Sequence, residues 1–111
     1  MDDAAERLAD RMRDYFAPIP GLSEKRMFGG LCFLLDGNMV CCVMKGGDML
    51  GRVGVPLLAD ALALPGCTPM TMGQKTMAGF VAVEGAVLED ETPLAQWLDR
   101  CLAFTASLPP K

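Results

Sequence analysis

Apolar positions recur at two different periods along the chain, and each change of period marks a change of element. Between residues 3 and 17, Ala5, Leu8, Ala9, Met12, Tyr15 and Phe16 fall at helical spacing, which predicts an amphipathic helix. Asp3 with Glu6 three residues later makes a capping-box-like start, with Asp where Ser or Thr is usual. Pro18 and Pro20 end the helix. From Arg26 to Leu35 the run Met27, Phe28, Leu31 to Leu35 is too short and too aromatic for a helix and predicts one strand. Asp36-Gly37 is a two-residue hairpin signal, because a type I′ turn needs positive φ at both positions. Asn38 to Met44 then returns as a second strand. Lys45-Gly46-Gly47-Asp48 turns again, and Met49 to Val53 forms a third strand with Leu50 and Arg52 on one face. Three strands joined by short turns make an antiparallel meander.

The second half repeats the alternation of periods. Pro56 opens a helix running to about Leu64, with Leu57, Leu58, Ala61 and Leu62 as its apolar stripe, and Pro65-Gly66 stops it. Thr68 to Met72 predicts a short strand that Pro69 confines to a sheet edge. Gly73-Gln74-Lys75 turns into a strand over Thr76 to Glu84, and Glu89-Asp90-Glu91 reads as a polar linker. Thr92 caps a last helix with Pro93 in its first turn, and Leu94, Trp97, Leu98, Cys101, Leu102 and Thr105 line its apolar side. The order αβββαββα predicts a two-layer α+β domain over residues 1–111, with an antiparallel five-stranded sheet and the helices packed on it.

Composition narrows the function classes. The 111 residues suit one domain, and 51% hydrophobic against 22% charged residues excludes disorder. Ten Lys and Arg against fourteen Asp and Glu, with no histidine, give a net charge of −4. That balance argues against direct nucleic-acid binding, which needs a basic face. The opening Met1-Asp2-Asp3-Ala4-Ala5-Glu6 has neither the basic start nor the apolar run of a secretory signal. The longest apolar run, Met27 to Leu35, is far short of the ~20 residues of a membrane helix. A cytoplasmic protein with no membrane contact is expected. An odd set of five cysteines, Cys32, Cys41, Cys42, Cys67 and Cys101, then reads as reduced thiols serving mainly as small core residues. No Cys-x-x-Cys pair and no histidine is present to build a zinc site, so no metal and no cofactor is expected. Cys41 and Cys42, as strand neighbours, take opposite faces.

Several segments together resemble one known family. Lys25-Arg26-Met27-Phe28-Gly29-Gly30, Leu35-Asp36-Gly37-Asn38-Met39, Arg52-Val53-Gly54, Met77-Ala78-Gly79-Phe80-Val81 and Leu94-x-x-Trp97 occur in the order of the blocks of the TfoX (Sxy) N-terminal domain family. The resemblance spans nearly the whole chain and implies the same αβββαββα fold. Named members are bacterial regulators of competence for DNA uptake that carry a second, C-terminal domain. The resemblance therefore implies a single-domain member that stops after the first domain, and it brings no catalytic set to carry over.

The candidate chemistry is correspondingly sparse. Gly29-Gly30 inside the first strand allows close approach of a ligand or marks a bulge. Arg26 and Arg52, if they share a sheet face, form a site for an anion or an acidic partner; otherwise they are surface arginines paired with Asp or Glu. No base stands ready for a cysteine nucleophile, and no carboxylate pair converges, so no catalytic residue is expected. Nine methionines are unusual. Met70, Met72 and Met77 cluster around the last two strands and either fill the core or form an adaptable apolar contact surface; Phe28, just before the glycine pair, is a further candidate binding residue. Leu31 to Leu35 is apolar at successive positions, which predicts burial on both faces, and a second copy could supply the second cover. The expected role is a non-catalytic regulatory or adaptor domain working through an unidentified protein partner or as a homodimer. The alternatives are an anion- or small-molecule-binding domain built on Arg26, Arg52 and Gly29-Gly30, and, last, a cysteine redox sensor.

Overall fold

A computed structural model gives the fold for residues 1–27 and 29–111; Phe28, one of the candidate contact residues, lies outside the described residues. The Asp36-Gly37 turn forms as its sequence dictates. Asp36 has φ 50° and Gly37 φ 87°, and Asp36 alone among the described non-glycine residues takes a positive φ. The turn joins β2 (Gly30–Leu35) to β3 (Asn38–Val43), with Leu35 opposite Asn38 and Leu34 opposite Met39. One extra residue, Val40, then bulges, so that Phe33 faces Cys41 and Cys32 faces Cys42.

Among the described residues the sheet has six strands, not five. The expected strand over Arg26 to Leu35 is two: β1 (Leu22–Met27) runs antiparallel to β2, with Met27 opposite Gly30. Gly29, at φ 74°, lies in the reversal rather than within a strand. β4 (Met49–Arg52), β5 (Cys67–Met72) and β6 (Lys75–Val83) complete the sheet in the order β1-β2-β3-β4-β6-β5, antiparallel throughout. Pro69 sits on edge strand β5, where its missing N–H breaks no central ladder. The other edge, β1, carries Ser23 to Arg26 exposed to solvent, a charged sequence that discourages further strand pairing.

Helix starts differ from expectation by a residue or two. α1 (Asp3–Phe16) is capped by Asp2, not Asp3; one Asp2 carboxylate oxygen accepts from Ala5 N–H at 2.9 Å. The other accepts from Gly46 N–H at 2.8 Å, in the turn between β3 and β4. These two bonds, Ala5 first, hold the Asp2 carboxyl below its ordinary range. The segment expected as a helix from Pro56 to Leu64 is a 3-10 turn, Val55–Leu57, followed by a five-residue helix, α2 (Leu58–Leu62). A short α3 (Gly85–Leu88) follows β6. α4 (Glu91–Ala106) starts at Asp90, which places Thr92 and Pro93 inside its first turn and absorbs part of the expected linker.

Helices pack on one face of the sheet. Leu8, Met12 and Phe16 of α1 and Leu94, Trp97, Leu98 and Cys101 of α4 meet Leu31, Phe33, Val40, Cys41 and Val43. Burying each such large side chain contributes roughly 1.5–3 kcal/mol. The end of the chain braces the hairpin: Asn38 Nδ2 donates to Pro109 O at 2.9 Å, and Lys111 N–H to Asp36 O at 2.9 Å.

The cysteines are not all reduced. Cys32 and Cys42, opposite one another across β2 and β3, form a disulfide. A bridge closing a sequence separation of 10 residues stabilises by about 3 kcal/mol, mainly by restricting the unfolded chain. Reduction is expected to lower the unfolding free energy by that amount, measured as a fall in the urea midpoint on adding dithiothreitol. An unchanged midpoint would show that the bridge contributes nothing in solution.

Candidate functional site: the open face of the sheet

Alternation along the central strands sends Cys32, Cys42 and Leu50 to the face away from the helices. All three are at most 1% exposed, yet no helical residue belongs to their cluster among the described residues. Their cover is Met27, Met39, Met44, Met70 and Phe80, each half-buried. Met39 Sδ rests 3.7 Å from Cys42 Sγ, a soft contact over the disulfide. β2 is therefore buried on both faces, as its sequence requires. Part of the second cover is supplied by the chain's own methionines and Phe80.

Arg52 stands on this open face at the end of β4, opposite Phe80. Its guanidinium lies 5.5 Å from the Phe80 ring centre and 5.7 Å from that of Phe104, within cation–π range of both. The local backbone makes this pocket. Gly54, at φ 84°, leaves no Cβ where the Phe104 ring lies, and both Val53 and Gly54 N–H donate to Gly79 O. No carboxylate is within ion-pair distance of Arg52 among the described residues.

Arg26 does not join Arg52. It pairs with Leu31, whose side chain is in the helical core, so the two arginines point from opposite faces of the sheet. The shared-face anion site is thus overturned by register. Gly30 has a structural duty: a Cβ there would run into the Val43 carbonyl. Gly29 has open space around it and serves the reversal between β1 and β2. Of the three methionines singled out from sequence, Met70 belongs to the open face. Met72 is exposed at the end of β5, and Met77 is half-buried on β6 outside the cluster. Met27, Met39 and Met44 join this face as well; alternation with Cys42 places Met44, the Val40 bulge is needed to place Met39, and the β1–β2 pairing places Met27.

The remaining thiols are poor nucleophiles. Burial pushes Cys41 well above its ordinary value and Cys101 up to about 12, and Cys101 lies near Cys41. Half-buried Cys67 is also raised by burial, with Arg100 acting in the opposite sense. A cleft of about 650 Å³ lies between α1, the β3–β4 turn and α3. Arg7 and Arg11 line it together with Asp48, Glu84, Glu89 and Glu91. Arg11 is already spent on the Leu88 and Glu89 carbonyls at 2.8 and 3.3 Å, and Asp48 on Gly85 N–H at 2.8 Å. No group of three ligating side chains gathers for a metal, and no helix is long and apolar enough to cross a membrane, among the described residues.

Compared with known proteins, the TfoX N-terminal domain family matches residues 14–105 of the chain. No curated protein and no solved structure matches it.

The raised Cys101 thiol makes stability fall at high pH. Native Cys101 stays neutral until about pH 12, whereas the unfolded thiol ionises near 9.0, so rising pH favours the unfolded chain across that window. The contribution is fully present below pH 9 and is lost towards 12. Cys101→Ala is expected to flatten the loss of unfolding free energy between these pH values relative to wild type, as read by urea titrations. Parallel slopes for the two proteins would contradict the assignment.

Proposed function

Since the chain belongs to the TfoX N-terminal domain family, we propose that it is a non-catalytic regulatory or adaptor domain. It acts through protein–protein contact, in the setting of transcriptional or competence regulation. The observation that carries this reading is the open face, where five half-buried apolar side chains and a stacked arginine stand in place of a helical layer. Methionine surfaces of this kind adapt to a partner, and an arginine held between aromatic rings is a common anchor in interfaces. The raised thiols and the lack of histidine support a role without nucleophilic chemistry.

The immobilised domain is expected to retain a protein from a bacterial lysate, read by mass spectrometry, and Arg52→Ala to weaken that retention. A lysate that leaves nothing on the wild-type domain counts against the adaptor reading. A second reading, anion binding, rests on Arg52 alone, whose guanidinium meets no carboxylate among the described residues. Phosphate or sulfate is then expected to raise the melting temperature of wild type and not of Arg52→Ala. Equal shifts in the two proteins would remove that reading.

A further inference from the structure

The open face differs in charge from the rest of the molecule. Asp and Glu outnumber Lys and Arg by fourteen to ten, yet Glu24 is the only carboxylate on any described strand. Glu24 points to the helical side, where Arg13 grips both its oxygens at 2.9 and 3.0 Å. On the open face stand Lys25 of β1, paired with Cys32, and Arg52 of β4, on either side of the methionine-covered strands β2 and β3. An acidic protein thus presents one apolar, cation-bearing face that holds no strand carboxylate.

That asymmetry selects an occupant. Two copies meeting through this face would bring like charges together. Docking it on the helical side of another copy is a head-to-tail contact, which ends only in a ring of fixed rotation or runs on as an open filament. Strand addition is discouraged at both edges, by Glu24, Lys25 and Arg26 on β1 and by Pro69 on β5. A helix is what the opposite face of this sheet already accepts. Six strands spaced about 4.8 Å apart offer roughly 24 Å, the length of a helix of about 16 residues.

We propose that the open face docks an acidic amphipathic helix of a partner protein. Its apolar side lies on Met27, Met39, Met44 and Phe80, and its carboxylates meet Lys25 and Arg52. The helix supplies the second helical layer that the sheet lacks. Phe80 and Phe104 hold the Arg52 head in place, which lowers the entropy lost when a carboxylate pairs with it. The inference rests on the reading of this domain as a protein-contact module and adds the chemistry of the partner.

The test is selection of a displayed library of random peptides, about 16 residues long, on the immobilised oxidised domain. Enriched sequences are expected to be acidic, with apolar residues at helical spacing. Their affinity is expected to fall roughly tenfold in Lys25→Glu and to weaken as salt rises. Lys25 is exposed on an edge strand, so this variant spares the packing that Arg52→Glu disturbs; Arg52→Glu, checked for folding by its melting curve, serves as the second variant. Neutral or basic winners, no enrichment, or affinity unchanged by Lys25→Glu would overturn the proposal. Such a result alongside lysate capture that still depends on Arg52 would remove the acidic helix and leave the adaptor reading standing. Loss of both would remove the two together.

Discussion

One inserted residue decides what each face of this sheet carries. The Asp36-Gly37 turn alone would set Phe33 opposite Val40 and Cys32 opposite Cys41. The bulge at Val40 moves the register on by one, so that Cys32 meets Cys42 instead. Val40 and Cys41 both turn into the helical core, and Cys42 passes to the other side. The disulfide, the placement of Cys41 near Cys101 and the methionine layer above Cys42 all follow from that shift. A bulge also bends its strand.

The two faces are then buried by different means. On one, α1 and α4 pack large, well-shaped side chains such as Phe16, Trp97 and Leu98. On the other, unbranched side chains with several rotatable bonds lie over a covalent bridge. The first arrangement fixes one structure, because a close-packed core tolerates few alternatives. The second keeps water from Cys32, Cys42 and Leu50 while leaving the outer contour adjustable. Rigidity on one side therefore supports adaptability on the other.

Much of this organisation is legible along the chain. The amphipathic helices, the Asp36-Gly37 hairpin and the edge position of the Pro69 strand each follow from local chemistry. β1 escaped because Ser23 to Arg26 is polar at successive positions; an edge strand wet on both sides shows no alternation. The Cys32–Cys42 bridge escaped because a bulge is not written in the residues it shifts. The same gap hid the opposite orientation of Arg26 and Arg52, since facing across a sheet is a matter of register. Arg52 was legible as an arginine sharing a strand face with Leu50, but its aromatic partner Phe104 arrives from more than fifty positions away.

The position of α4 in the chain bears on the order in which the fold is completed. It follows all six strands, yet it covers the middle of the sheet over β3 and β4. The hairpin of β2 and β3, local and fast to form, therefore leaves Val40, Cys41 and Val43 without part of their cover until α4 packs. The brace from Asn38 to Pro109 closes later still. Without α4 the sheet is half-covered and Cys41 lacks its lid, so the core is complete only when residues 91–106 have packed, whatever strands have already paired.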